Sequence, residues 1–447
     1  MVATQCHSQS GFTFQPKLTL DFEGGTITTD PGLVLLREFD ERLGLTRPLG
    51  ALCPDPRDPR YVAHDLLTLL RQRLYQIAAG YEDANDATHL RHDPTLQVVA
   101  GRMGTPLASQ PTLSRLENAV GWDAVGQCRQ FGLEWFCQHG LPRRGPAPGE
   151  LILDVDSTDD PTHGQQVLSF FNGHYDEHMY HPLLVFEGTS GFLLGSRLRP
   201  GDEGGATRLL PLLRPIVRRL RRRCPTTVLA LRADGGFCNP AVLTYAEDAG
   251  LSYAIGMPRN SKLEALVAPL RAQVEAAWQR TGQPLRRFTS VRYQAGSWAR
   301  PRRVVAKVEV TAGEGLNVRF VVTNRRASAG AIFAWYNARG QAENYIKELK
   351  RGVAADRLSC HAYRANAWRL QLHALAYNLL ALFRQRALHG TGLATTTLST
   401  LRLRLFKVGA RVVRSARRLW FHLATGWPGQ ALFLDILCRL RTIRASP

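Results

Sequence analysis

No pair of cysteines in this 447-residue chain has the C-x-x-C spacing. The eight present (Cys6, Cys53, Cys128, Cys137, Cys224, Cys238, Cys360 and Cys438) are scattered. That argues against a zinc ribbon and a disulfide framework, and it suits a reducing cytoplasm. Long apolar runs are also missing. The most apolar long helix expected, 370–383, is interrupted by Gln371, His373 and Asn378, so it is too short and too polar to span a bilayer. The first residues, MVATQCHSQSG, lack the apolar core of a signal peptide. There is no Walker-type glycine-rich loop and no Ser/His or Cys/His nucleophile signature, which leaves ATP-driven chemistry unsupported. Acids are scarce. Lys and Arg number 57 against 37 Asp and Glu, a formal charge of +20, and the pI is near 10.2. Clustered basic residues in such excess point to nucleic acid as the partner.

What is present reads as an α/β protein with helical flanks. The segment 142–149 (PRRGPAPG) is the clearest linker. It separates a region 1–148, with a hairpin expected around Gly24-Gly25 and helices at about 30–43, 61–79, 112–120 and 124–137, from a central domain 149–358. In the central domain, 151–156 (LILDVD) is a short apolar strand ending in acid. Alternation puts Asp154 and Asp156 on one face. Strands are expected at 166–171, 180–187 and 192–197, as an antiparallel meander. A helix over about 203–223 ends in five arginines, more than its C-terminus needs, which suggests phosphate contacts. The run 226–232 (TTVLALR) reads as a central strand buried on both faces, and it ends at Asp234 before Gly235-Gly236. A carboxylate at the C-terminal edge of a central strand is where α/β sheets place ligands. Residues 286–326 alternate with period two and read as a β-rich insertion subdomain, with an extension of the main sheet as the alternative. A basic, mainly helical region, 359–447, closes the chain. Arg404, Lys407, Arg411, Arg414 and Arg418 would make one stripe if helical throughout; Gly409 and Val412-Val413 weaken that helix.

The stretch 335–350, WYNARGQAENYIKELK, organises the rest. Read as one helix, it places Tyr336, Arg339, Glu343 and Lys350 within about 60° of arc, with Lys347 roughly 20° beyond. One carboxylate then stands among cations and a ring. An amphipathic surface helix would show the same face, but Asp156 and Asp234 change the weighing. Two divalent cations about 3.5–4 Å apart need bridging carboxylates, and Mg²⁺ prefers a few carboxylates with water and phosphate oxygens. Trp335 adjoins this face and could stack on a base, although such a residue is more often core.

Strand-end Asp, strand-end Asp, a β-rich insertion and then Tyr-x₂-Arg-x₃-Glu-x₆-Lys resembles the DDE transposases of the insertion sequence four clan. The wider wording is similar to the insertion sequence thirteen-eighty family. It is carried by 153–166 (LDVDSTDDPTHGQQ), 170–186 (FFNGHYDEHMYHPLLVF), 231–237 (LRADGGF) and 81–94 (YEDANDATHLRHDP). The resemblance implies an RNase H-like core: a mixed sheet flanked by helices, with a β-rich insertion between the second Asp and the Glu helix. It implies two Mg²⁺ ions, with Mn²⁺ able to substitute. It also implies cut-and-paste movement of a DNA element in a bacterial cytoplasm. The partners would be double-stranded DNA (terminal inverted repeats and target) and a second copy of the chain in a synaptic homodimer, with no membrane. By that likeness the catalytic, metal-holding acids are Asp156, Asp234 and Glu343. Asp154 faces the same way as Asp156. Tyr336, Arg339, Lys347 and Lys350 would hold DNA phosphates, region 1–148 would bind element ends, and 359–447 would supply dimer or DNA contacts. Two other readings stand beside this one: an RNase H-like nuclease that cuts without strand transfer, and a DNA-binding regulator that needs no acids.

Overall fold

The computed structural model describes residues 8–52, 55, 57–142, 148–311, 313 and 315–443. The linker expected at 142–149 falls mainly on 143–147, outside the described residues. The chain forms two compact units. One is Glu117–Leu382, and the other joins Met1–Leu116 to Phe383–Pro447.

The unit Glu117–Leu382 is built on an eight-stranded mixed sheet. Its strands are β1 (Glu150–Ser157), β2 (Leu183–Glu187), β3 (Leu193–Arg197), β4 (Val228–Ala233), β5 (Ser252–Met257), β6 (Leu285–Tyr293), β7 (Arg302–Thr311) and β8 (Gly315–Thr323). The order across the sheet is β6-β7-β8-β5-β4-β1-β2-β3. β1, β4 and β5 run parallel, and every other pairing is antiparallel. The central strands β1 and β4 are almost wholly buried, as a continuous apolar run demands when both faces are covered. The helices of this unit are α1 (Trp122–Trp135), α2 (Leu209–Arg223), α3 (Pro240–Asp248), α4 (Ser261–Thr281), α5 (Ala329–Asn337), α6 (Gly340–Val353) and the long α7 (Tyr363–Arg386). α3 starts as its sequence directs: the Asn239 side chain accepts from Ala241 N and Pro240 takes the first helical position.

Two expectations are corrected here. The three strands at 286–326 form, but not as a separate subdomain. β8 pairs with β5 along Ala254↔Thr323 to Met257↔Phe320, and β7 and β6 add outward. Their apolar faces have a use in that position: Val305 and Val321, with Ala254, are the floor on which Ile332 and Phe333 of α5 pack. The meander also differs. His181-Pro182 interrupts the strand expected at 180–187, because Pro182 has no N–H for a ladder. Glu177–Tyr180 joins Phe170–Asn172 and Asp160–Pro161 in a small separate sheet, and Leu183–Glu187 joins the main one.

The other unit is helical with small sheets. Helix Leu66–Ala79 starts at Asp65, whose side chain accepts from Thr68 N, and stops at Gly80 with φ 93°, a conformation that glycine adopts freely. The hairpin lies earlier than expected, at Ser8–Phe12 with Gln15–Asp21, while Ile27–Thr28 pairs with a strand at Ala410–Arg414. That strand breaks the basic stripe. Helical turns end at Phe406, and Arg411 and Arg414 are on a strand where β-branched Val412-Val413 fits.

Candidate active site

Parallel pairing brings the two strand-end acids together. Arg232 lies beside Asp154 and Ala233 beside Val155, so the next step along both strands sets Asp234 beside Asp156, one strand spacing away. The two neighbouring aspartates of β1 have different surroundings. Asp154 is fully buried and accepts two hydrogen bonds from Arg232, at 2.6 and 2.7 Å. Arg232 in turn donates to the Trp335 carbonyl at 2.8 Å and stacks over the Trp335 ring at 4.9 Å. Arg325 covers the same ring at 4.1 Å, and the indole N–H donates to Glu150 at 3.1 Å. Trp335 is therefore the anchor that fixes α5 to the sheet, held between two guanidiniums. Asp154 belongs to that anchor.

Asp156 instead faces the acids. Its Oδ2 accepts from Arg339 Nη1 at 2.9 Å, and its Oδ1 accepts from Ser157 N at 2.9 Å. Burial pushes its carboxyl up, Arg339 opposes, and the charges of Asp234 and Glu343 add to the rise, so that it sits at about 6. Asp234 caps the turn that follows β4, its Oδ1 accepting from Gly236 N at 2.9 Å.

The single helix expected over 335–350 is two helices. Tyr336 is near the end of α5, Arg339 is the N-cap of α6, and Glu343 is in the first turn of α6. The junction keeps right-handed dihedrals but bonds three residues back: Arg339 N to Tyr336 O, Gln341 N to Ala338 O and Ala342 N to Arg339 O. Such bonds mark a tighter 3₁₀ turn, and Gly340 weakens the helix where it forms. The break does not scatter the group. Arg339 reaches Asp156 on one side and Glu343, at 3.5 Å, on the other. Burial lowers the Arg339 pKa, but the charges of Asp156, Tyr336, Asp234 and Glu343 outweigh it and raise it. Glu343 is the exposed member, at 57%. Tyr336 is partly buried, and its hydroxyl lies over Gly256, where a Cβ would stand 2.6 Å from it and 2.9 Å from Gly235 N. Lys347 is exposed. Lys350 is engaged by Asp159 at 2.7 Å and Asp356 at 3.7 Å.

Three carboxylates beside one guanidinium furnish only oxygen donors, the donor chemistry that Mg²⁺ takes. Among the described residues, no three His, Cys, Asp or Glu side chains stand close enough to hold an ion as placed. Glu343, Arg339, Tyr336 and Gly256 line a cleft of about 660 Å³. Its far wall carries Lys307 and Arg319 from β7 and β8, and Arg259 from the loop between β5 and α4.

Residues 11–445 match the family described as transposase DDE domain, group 1. The chain belongs to that transposase family. Among solved structures it is similar to the piggyBac transposase synaptic complex with hairpin DNA. The TM-score there is 0.43 and the identity 10%, over 85% of this chain and 80% of that one. No curated protein sequence matches. No helix among the described residues is long and apolar enough to cross a membrane.

Several residues around this transposase's acids and cleft were not legible in its sequence. Tyr175 is close enough for Asp159, Asp156 and Asp234, after burial, to raise its phenol pKa. Its ring meets His174 at 4.9 Å and His181 at 5.7 Å, so these two histidines stand behind it. Arg232, Gly256 and the basic wall of β7 and β8 were also missed. Strand pairing places all of them, and no local motif announces it.

Proposed function

We propose that the chain moves an insertion sequence by cut-and-paste, with Asp156, Asp234 and Glu343 as its catalytic, metal-holding acids on an RNase H-like core. The observation that carries this reading is the register of β1 and β4, which sets Asp234 beside Asp156 under Arg339 and Glu343. Two Mg²⁺ ions, when bound, would activate the attacking oxygen and stabilise the leaving one; Mn²⁺ would serve in their place. Arg339, now on Asp156, and Tyr336 at the cleft wall would position the scissile phosphate. Lys347 and Lys350 would hold the backbone further along α6, Lys350 leaving Asp159 to do so. Water would cut the element ends, and the freed 3′-hydroxyls would then attack target DNA at the same acids. Terminal inverted repeats and target duplex are the partners, in a synaptic homodimer. Region 1–148 would bind ends, and 359–447 would add dimer or DNA contacts. The motif wording supports membership of the insertion sequence four clan, nearest the thirteen-eighty group.

The test is cleavage of a labelled inverted-repeat end with Mg²⁺, comparing wild type with Glu343→Gln. Wild type nicks the end, and the variant binds it but does not cut. Equal cutting by both would remove Glu343 from the site. Binding without cutting by either, on a confirmed end, would favour a regulator.

A further inference from the structure

A second groove in the unit Glu117–Leu382 is lined by arginines that lack a counter-charge. One part, about 390 Å³, is bounded by Trp122, Arg129, Arg197 and Tyr363. The next, about 290 Å³, shares Arg129 and continues past Arg218 and Arg222 on α2. Other arginines here are paired: Arg208 with Glu203 and Arg219 with Glu134. For Arg129 and Arg197, no carboxylate or hydrogen-bond partner is found among the described residues. Both line the same hollow instead, and burial together with the Arg197 charge holds the Arg129 pKa below its ordinary value. Folding alone does not favour two half-buried guanidiniums in one hollow. A bound anion would relieve both.

The second observation is aromatic. Trp122, the first residue of α1, is 54% exposed, and its ring centroid lies 5.9 Å from that of Tyr363. Trp122, Gly126 and Arg129 lie on one face of α1, at offsets of four and seven residues. Guanidiniums for a backbone beside an exposed ring for a base is the composition of a single-strand platform. A duplex turns its bases inward and offers no face to stack on. Arg197 ends the edge strand β3 and is in register with Leu183 and, through it, with Ser157, so it is at the same end of the sheet as the acids, with its side chain on the face opposite Asp156. Two strand spacings, roughly 10 Å, separate Arg197 from the end of β1.

We propose that this groove binds a single-stranded segment of DNA, with phosphates on Arg129 and Arg197 and a base on Trp122. The proposal rests on the DNA-handling reading above, but binding in the groove needs neither metal nor the acids.

Fluorescence anisotropy with a labelled oligothymidylate, in EDTA and across a salt series, tests it. Wild type and Glu343→Gln bind alike. Arg129→Gln and Arg197→Gln each bind more weakly and lower the salt slope by roughly 0.7, the loss of one single-strand phosphate contact. Arg197→Lys keeps the slope. Trp122→Ala weakens binding by roughly tenfold with the slope unchanged. Arg129→Gln melts no lower than wild type, because it removes unbalanced charge, and this separates lost contact from lost fold. Failure of wild type to bind, or groove variants with wild-type affinity and slope, overturns the proposal. If wild type cuts an element end while the groove variants bind normally, the groove falls and the active site stands. If it does not cut while those variants lose binding, the groove stands without the active site.

Discussion

Asp154 and Asp156 are two residues apart on one face of one strand, and their replacement should have opposite consequences. Asp154 is 0% exposed and its partner Arg232 is 3% exposed. Asp154→Asn keeps the shape but leaves the guanidinium buried without its charge partner. Breaking a buried pair from one side costs about 3–5 kcal/mol. Spread over a unit of this size, that lowers the melting temperature by on the order of 10 °C. Arg232 also holds the Trp335 carbonyl, so cleavage should fall only as the fold is lost. Asp156→Asn instead removes repulsion with Asp234 and Glu343, and Arg339 keeps its contact with Glu343. Its stability should stay within about 1 kcal/mol of wild type, while cleavage of an inverted-repeat end disappears. Thermal melts without metal, beside end cleavage measured well below the melting transition, read both effects. If Asp154→Asn melted like wild type and lost cleavage, the two aspartates would have to exchange roles and the register argument would fail.

Two further outcomes follow from the geometry. Gly256→Ala puts a methyl 2.6 Å from the Tyr336 hydroxyl and 2.9 Å from Gly235 N, so it should slow cleavage by roughly 10–100-fold while end binding in a gel shift stays intact; an unchanged rate would detach Tyr336 from the site. Glu247 gives the pH outcome. Burial pushes its carboxyl up, but hydrogen bonds from Arg302, Arg300 and Tyr253 outweigh that and hold it at about 2. A depressed carboxyl contributes stability above its unfolded pKa and loses it as pH falls through the folded one. Wild type should therefore lose on the order of 1–2 kcal/mol between about pH 4.5 and pH 2, after allowance for solvent screening. Glu247→Gln should lack that part of the slope in denaturant titrations; an identical slope would refute the assignment.

The sequence carried the parts of the site that obey local rules. The apolar run before Asp234 could only be a central strand, and alternation alone put Asp154 and Asp156 on one face. Asn239-Pro240 announced α3. Alternation could not say which aspartate met a counter-charge, because Arg232 is 78 residues away and becomes a neighbour only through the β1–β4 register. The same limit applied to 286–326, where an alternating hairpin shows that one face is buried and not against what. Its true partners, Ile332 and Phe333, belong to a helix whose own sequence gives no direction.

The helix break at Ala338–Gly340 shows why a spacing can survive a wrong premise. Tyr336, Arg339 and Glu343 were grouped by supposing one continuous helix, and the chain instead turns more tightly between the first two. Three-residue steps are the repeat of the tighter turn, so Tyr336 and Arg339 stay on one side through it. Arg339 is then at the start of α6, where its side chain reaches back to Asp156 and along the first turn to Glu343. Carrying Tyr336 on α5 and Glu343 on α6 lets each helix pack where its own apolar residues direct, with Ile332 and Phe333 on β5, β7 and β8, and Ala342, Ile346 and Leu349 buried beneath α6. The polar residues are thereby held at the rim of one cleft by two separately anchored supports.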